Sequence, residues 1–203
     1  MPLPWLIGII VAVQIGLGIA PKADRFTWAL ENAPTWIGLV ILAVTRRRFP
    51  LSPLCLHLLA LHSVILAVGG HYTYAKVPLG DWVRDAFGLA RNHYDRLGHF
   101  AQGFIPAILV RELLLRKTPL LPGRWLAFLV VSVCLAFSAC YEFIEWWTAL
   151  LTGEAATDFL GTQGDPWDTQ WDMFLALVGA SCSVALLSRW HDMSLKKVLH
   201  PAA

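Results

Sequence analysis

Apolar residues run along this chain in six stretches long enough to be membrane helices, roughly 4–20, 28–45, 53–70, 97–115, 125–150 and 170–189. A spanning helix needs about 20 mostly apolar residues. The pattern predicts an all-α, polytopic bundle of about six transmembrane helices, forming a single transmembrane domain over residues 1–203. The second stretch allows two readings. Glu31 and Asn32 precede Pro34, so the helix either begins at the proline or begins earlier and kinks there. The fifth is long enough to tilt or to project from the bilayer. The sixth is expected to start at Asp165, with Pro166 at the first helical position.

Two connections are substantial. In residues 69–96, the segment from Leu79 to Ala90 mixes charges with aromatics and predicts a short interfacial helix. Residues 152–168 are rich in Gly, Thr and Asp, as loops are. No internal repeat or low-complexity tract is present.

Composition agrees with the pattern. The 203 residues are 57% hydrophobic and 15% charged, where a soluble domain carries roughly 25% charged residues. No basic stretch is interleaved with aromatics, which argues against nucleic acid as a partner. The four cysteines, Cys55, Cys134, Cys140 and Cys182, fall in apolar runs without metal-like spacing and read as small apolar residues. The N-terminal stretch lacks the basic region of a secretory signal and reads as a retained first span.

Charge sets the expected orientation. Arg46, Arg47 and Arg48 lie between the second and third spans. Arg111, Arg116, Lys117 and Arg124 lie between the fourth and fifth. Arg189, Lys196 and Lys197 follow the sixth. Basic connections favour the cytoplasm, so both termini are expected there. Only Glu112 and Asp192, of 14 acids, accompany these residues.

The other twelve acids lie on or near the opposite side, and six of them gather with two histidines at that edge: His71, Asp95, His99, Glu142, Glu145, Asp165, Asp168 and Asp172. Ionisable groups near a bilayer are costly and mark candidate sites. Asp95 and His99 are four apart, on one helical face that continues through Gln102, Gly103 and Pro106. Glu142 and Glu145 are three apart, beside Ser138. Asp165, Asp168 and Asp172 share a face with Ala176, Gly179 and Ser183. Small faces allow close helix packing, which would bring the carboxylates together.

Oxygen ligands with one or two imidazoles suit Mg, Mn, Ca or Zn. Metal ligation is expected from His99, Glu142, Glu145 and Asp172. Asp95 or Asp168 would orient a ligand or water. His71, Arg91, Arg96 and Asp165 are candidate substrate contacts. Structural readings stand beside these. Asp165 and Asp168 would also serve as helix caps. Asp95 would also pair with Arg91 or Arg96. His57 and His62 read as bundle histidines, His93 as a solvated one.

Four stretches resemble the YjdF-type family of uncharacterised bacterial inner-membrane proteins. They are Gly70-His71-Tyr72-Thr73-Tyr74, Asn92 through Phe100, Tyr141-Glu142-Phe143-Ile144-Glu145-Trp146, and Gly161 through Asp172. The resemblance implies a multi-pass protein of the bacterial inner (cytoplasmic) membrane. A remoter likeness is to VanZ-like proteins, associated with glycopeptide-antibiotic resistance. It rests on Asp95-Arg96-Leu97-Gly98-His99 and on Glu142 with Glu145, where that family has Glu and Gln. Ala176 stands where that family has Asn. This likeness implies cell-envelope biology.

Three functions fit these observations. One is a metal-dependent hydrolase of a lipid-linked or phosphate-bearing envelope substrate. Another is a proton- or ion-coupled carrier using the same carboxylates. The third is a non-catalytic envelope protein held together by a buried polar network. Membrane lipids are the expected surroundings in each. The orientation is testable at once. Reporter fusions after Arg48 and after Lys117 should both report cytoplasm, and a periplasmic signal at either would reverse it.

Overall fold

The computed structural model describes residues 3–152 and 163–200, and those residues contain helices and no strand. The helices are α1 (Leu3–Gly18), α2 (Arg25–Thr45), α3 (Pro53–Tyr72), α4 (Pro78–Phe87), α5 (Tyr94–Phe104), α6 (Pro106–Lys117), α7 (Arg124–Thr152) and α8 (Asp168–Leu199). Helices α2, α3, α7 and α8 are each long and apolar enough to cross a membrane, and α1 is a shorter apolar helix. Most of the expected 152–168 loop lies outside the described residues.

The second span begins early and carries Pro34 inside it. Asp24 starts it, accepting from Phe26 N at 2.8 Å and Thr27 N at 3.0 Å. The Thr27 hydroxyl, bonded to the same carboxylate, holds Asp24 below its usual pKa. The helix continues through Pro34, which is exposed.

The fourth span differs from the expected single helix. It divides at Ile105, with Pro106 opening α6. Pro106 lacks the N–H that a continuous ladder would use. Ile105 nonetheless keeps helical dihedrals and donates to Ala101 O at 2.9 Å, so the two halves form one kinked path.

The sixth span also differs. It starts at Asp168, after a turn containing Asp165 and Pro166, and runs to Leu199. At 32 residues it is about 48 Å long, more than the roughly 30 Å hydrocarbon core. Its last turns, with His191, Lys196 and Lys197, extend past the apolar part.

The segment expected to form a short helix contains α4. Pro78 opens it, and Gly88, at φ 63°, ends it in the left-handed conformation. Leu79, Trp82 and Phe87 are exposed, and Asp81 and Arg84 are partly exposed and paired with each other. Before it, Thr73 takes φ 61° and turns Tyr74 back into a slot between Gly69 and Gly98.

Helices α5 and α8 form the most extensive contact of the bundle. A Cβ on Gly103 would strike the backbone of Ala176, and one on Gly179 would strike the carbonyl of Phe100. The expected small faces therefore meet backbone to backbone. Ala176, Ala180 and Ser183 are fully buried along this seam. Helices α1 and α2 each pack chiefly on α3.

Gly103→Ala should destabilise the protein by about 1–3 kcal/mol, because backbone cannot yield as a side chain can. Gly8→Ala, where an added Cβ meets nothing within 4 Å, should be neutral or slightly stabilising. Melting temperatures of the two variants in detergent provide the check. Equal values would mean the seam is not tight.

Candidate functional site

The α5–α8 seam decides where the acids go. It sets Asp95 and His99 on α5 beside Asp172 on α8. His99 Nε2 lies 3.6 Å from Asp95 Oδ1 and 3.8 Å from Asp172 Oδ2, and His99 Nδ1 lies 3.9 Å from Glu142 Oε1 on α7. Asp95, His99, Glu142 and Asp172 are all buried. These separations are too long for good hydrogen bonds. Among the described residues, His99 Nδ1, Glu142 Oε1 and Asp172 Oδ1 have no hydrogen-bond partner.

Ligand atoms of Asp95, His99 and Asp172 all lie within 4.8 Å of one another. Two ligands of one ion, each about 2.0–2.6 Å from it, are at most about 4–5 Å apart. The spacing is that of donors around one cation, and three or more carboxylates around one imidazole supply the negative charge that a divalent ion balances. Carboxylates buried this way need a cation or shared protons.

Glu145 is half-buried, one turn along α7 from Glu142 and within electrostatic range of Glu142 and His99. Glu31 joins from α2. It is 5% exposed, accepts from Tyr141 Oη at 3.4 Å, and interacts with Asp95 and His99. Sequence reasoning missed it. The available signal was a Glu-Asn pair in an apolar helix, which read as an interruption.

The other candidates sit around this centre. Arg91 Nη1 binds Asp168 Oδ1 at 2.7 Å and reaches Asp165 Oδ2 at 3.4 Å, while Arg96 Nη2 binds Asp165 Oδ2 at 2.9 Å. Arg96 also lies 5.0 Å from the Trp171 ring. The helix-start reading of Asp165 and Asp168 stands beside the ion pairs: Asp168 is in the first turn of α8, and Asp165 Oδ1 accepts from Trp167 N at 3.0 Å, although Trp167 is the N-cap and makes no side-chain cap bond. Asp95 has His99, not an arginine, as its ionic neighbour among the described residues. His71 ties the ends of α1 and α3 together, with Nδ1 on Leu17 O at 2.8 Å. Its own carbonyl accepts from Lys22 N and Ala23 N. His93 is half-buried, and burial with nearby Arg96 and Arg91 pushes its pKa below the ordinary value.

Asn92, fully buried, organises the chain leading into α5. Its amide donates to Val77 O and Asp81 Oδ1, both at 3.0 Å, and its oxygen accepts from Tyr94 N at 3.0 Å.

A second buried cluster occupies the basic end, and it too was missed. Glu112 and His191 are fully buried. Glu112 accepts from Ser52 N at 3.0 Å, from Arg116 at 2.8 Å and from His191 Nε2 at 3.1 Å. Arg111 meets His191 Nδ1 at 2.6 Å and Asp192 Oδ1 at 2.7 Å. The network assigns the tautomer: Nε2 carries the proton for Glu112 and Nδ1 accepts from Arg111. Each of these two carboxylates has an arginine of its own, and the histidine is satisfied at both nitrogens.

Residues 3–193 match the family described as "Predicted membrane protein (DUF2238)". Over 174 residues the chain is 53% identical to "Inner membrane protein YjdF" of Escherichia coli (strain K12), covering 86% of this chain and 83% of that protein. No solved structure matches.

The basic-end cluster makes its own prediction. Glu112→Gln would set an amide N–H₂ against donors that need an acceptor, and should cost about 3–5 kcal/mol. Asp192→Asn, at a side chain 42% exposed, should cost under about 1 kcal/mol. Chemical or thermal unfolding of both variants in detergent would show the difference, and comparable losses would contradict the assignment of Glu112 as the centre of the network.

Proposed function

The chain belongs to the DUF2238 family of membrane proteins, and from that premise we propose that its carboxylate end holds a divalent metal ion and hydrolyses a phosphoester in a lipid or lipid-linked envelope substrate. One observation carries this reading: ligand atoms of the buried Asp95, His99 and Asp172 all lie within 4.8 Å of one another, with buried Glu142 3.9 Å from the other nitrogen of the His99 ring. Native proteins rarely leave buried polar atoms unsatisfied. The basic end of the same bundle displays a finished structural network, and the carboxylate end departs from it.

In this proposal Asp95, Asp172 and His99 through Nε2 hold the ion, and Glu142, facing His99 Nδ1, orients the imidazole. With one imidazole and several carboxylates, the set suits Mg, Mn, Ca or Zn. Such an ion supplies a lowered water pKa and polarises a phosphoryl oxygen. Glu145, less buried and one turn from Glu142, is the proton acceptor for water. Arg96 is the phosphate contact. It is more exposed than Arg91, at 24% against 11%, and would share itself between Asp165 and the substrate. Asp168 is committed to Arg91, so its role is to hold Arg91 in place. The expected orientation puts this end on the periplasmic side, where lipid-linked envelope intermediates are found. The VanZ-like start of α5 points the same way.

Purified protein should contain about one divalent ion per chain. Glu142→Gln and Asp172→Asn should lower that content while the protein stays folded, since removing one of several like charges relieves repulsion when no ion is bound. Divalent ion at about a hundred times its Kd should stabilise the wild type by roughly 2.7 kcal/mol, and the two variants by much less. Metal content and melting temperature on the same preparations decide the matter. No bound metal in the wild type, with melting unmoved by added ions, would contradict the proposal and leave carboxylates that share protons.

A further inference from the structure

A cavity of about 600 Å³ lies between α1 and α2, with α3 and α6 behind it. Its size falls within the roughly 300–1,000 Å³ of small-molecule sites. It lies where α1 and α2 each lean on α3. Near their connected end, Trp36 Nε1 donates to Gln14 Oε1 at 3.2 Å and holds them together. The lining runs along α2 from Pro34 to Thr45, about 16 Å of helix. Ile41 and Val44 stand on its rim and are 56% and 74% exposed. The groove therefore opens sideways, toward lipid.

Its walls are apolar, but its basic-end mouth carries Arg48 and Lys117. The acids at that end are already taken: Glu112 by Ser52, Arg116 and His191, and Asp192 by Arg111. The mouth thus keeps a net positive charge, beside an apolar channel that faces the bilayer. Basic pockets between membrane helices bind anionic lipid head groups.

We propose that the groove between α1 and α2 binds an anionic phospholipid of the surrounding bilayer, with an acyl chain along the apolar wall and the phosphate at Arg48 and Lys117. This site is independent of the metal proposal. It shares no residue with the carboxylate cluster.

The test uses full-length protein in nanodiscs containing equal amounts of phosphatidylglycerol and phosphatidylcholine, released into native mass spectrometry. The wild type should retain one phosphatidylglycerol in preference to phosphatidylcholine. Arg48→Gln with Lys117→Gln should reduce that preference about thirtyfold. Both side chains are exposed, so folding should be unaffected. Gly38→Trp should abolish retention of either lipid. Gly38 lines the groove, and an added Cβ there meets nothing within 4 Å, so a bulky side chain can start there without striking a neighbour; an unchanged melting temperature checks that the variant is folded. Equal retention of the two lipids, an unchanged preference in the double variant, or phosphatidylglycerol still held by Gly38→Trp would overturn the proposal. One further result would do so. Thr35 Oγ1 and His62 Nε2 face the deep part of the groove with no hydrogen-bond partner among the described residues. A ligand lost on His62→Leu but kept by the double charge variant would be one held by hydrogen bonds at depth, not by charge at the mouth.

Discussion

Everything at the carboxylate end depends on one backbone contact. Gly103 meets Ala176, and Gly179 meets Phe100, with no side chain between the α5 and α8 backbones. Membrane helices gain little from burying apolar surface against one another, because lipid is equally apolar. Close van der Waals packing takes that role. Here it fixes the offset between the helices, and so fixes Asp95 and His99 against Asp172, one to two turns above the closest approach. Gly98 extends the same logic to α3, leaving room for Tyr74. Larger residues along the seam would separate these side chains as well as the helices.

The bundle carries two buried ionisable clusters, and their difference is informative. At the basic end, arginines and a neutral histidine match Glu112 and Asp192, and the α2–α3 connection is locked to α6 and α8. At the other end, carboxylates from α2, α5, α7 and α8 surround a single imidazole. Arg91 and Arg96 stand close by but are spent on Asp165 and Asp168. Excess negative charge in a buried site is destabilising unless something positive is bound there. The protein's own cations stand one layer too far out to neutralise Asp95, Glu142 and Asp172.

Much of this is legible in the sequence, for physical reasons. Apolar runs of about 20 residues have few alternatives to a membrane helix. Acids recurring three or four apart must share a helical face, so spacing alone groups Glu142 with Glu145, Asp95 with His99, and Asp168 with Asp172. Pairing between distant segments leaves no such local mark. Glu31 looks like a break in an apolar stretch because nothing nearby in sequence indicates that α2 turns it toward Tyr141. Glu112 and His191 are 79 residues apart, and Glu112 looks like one charge in a basic connection. Asp165 and Asp168 suit a helix N-terminus, and nothing local shows that they also pair with Arg91 and Arg96, 69 to 77 residues away in sequence. The full length of α8 escapes a hydropathy reading because its last turns have helix-forming residues without an apolar run.

The central claim is that His99 and its carboxylates share one ion. X-ray absorption at the metal edge, on protein loaded with one equivalent of zinc or manganese, tests it most directly. The account predicts one imidazole nitrogen and otherwise oxygen ligands, at about 2.0–2.2 Å for zinc, with the imidazole signal lost in His99→Ala. An ion coordinated by oxygen alone, or an imidazole signal that survives His99→Ala, would contradict it.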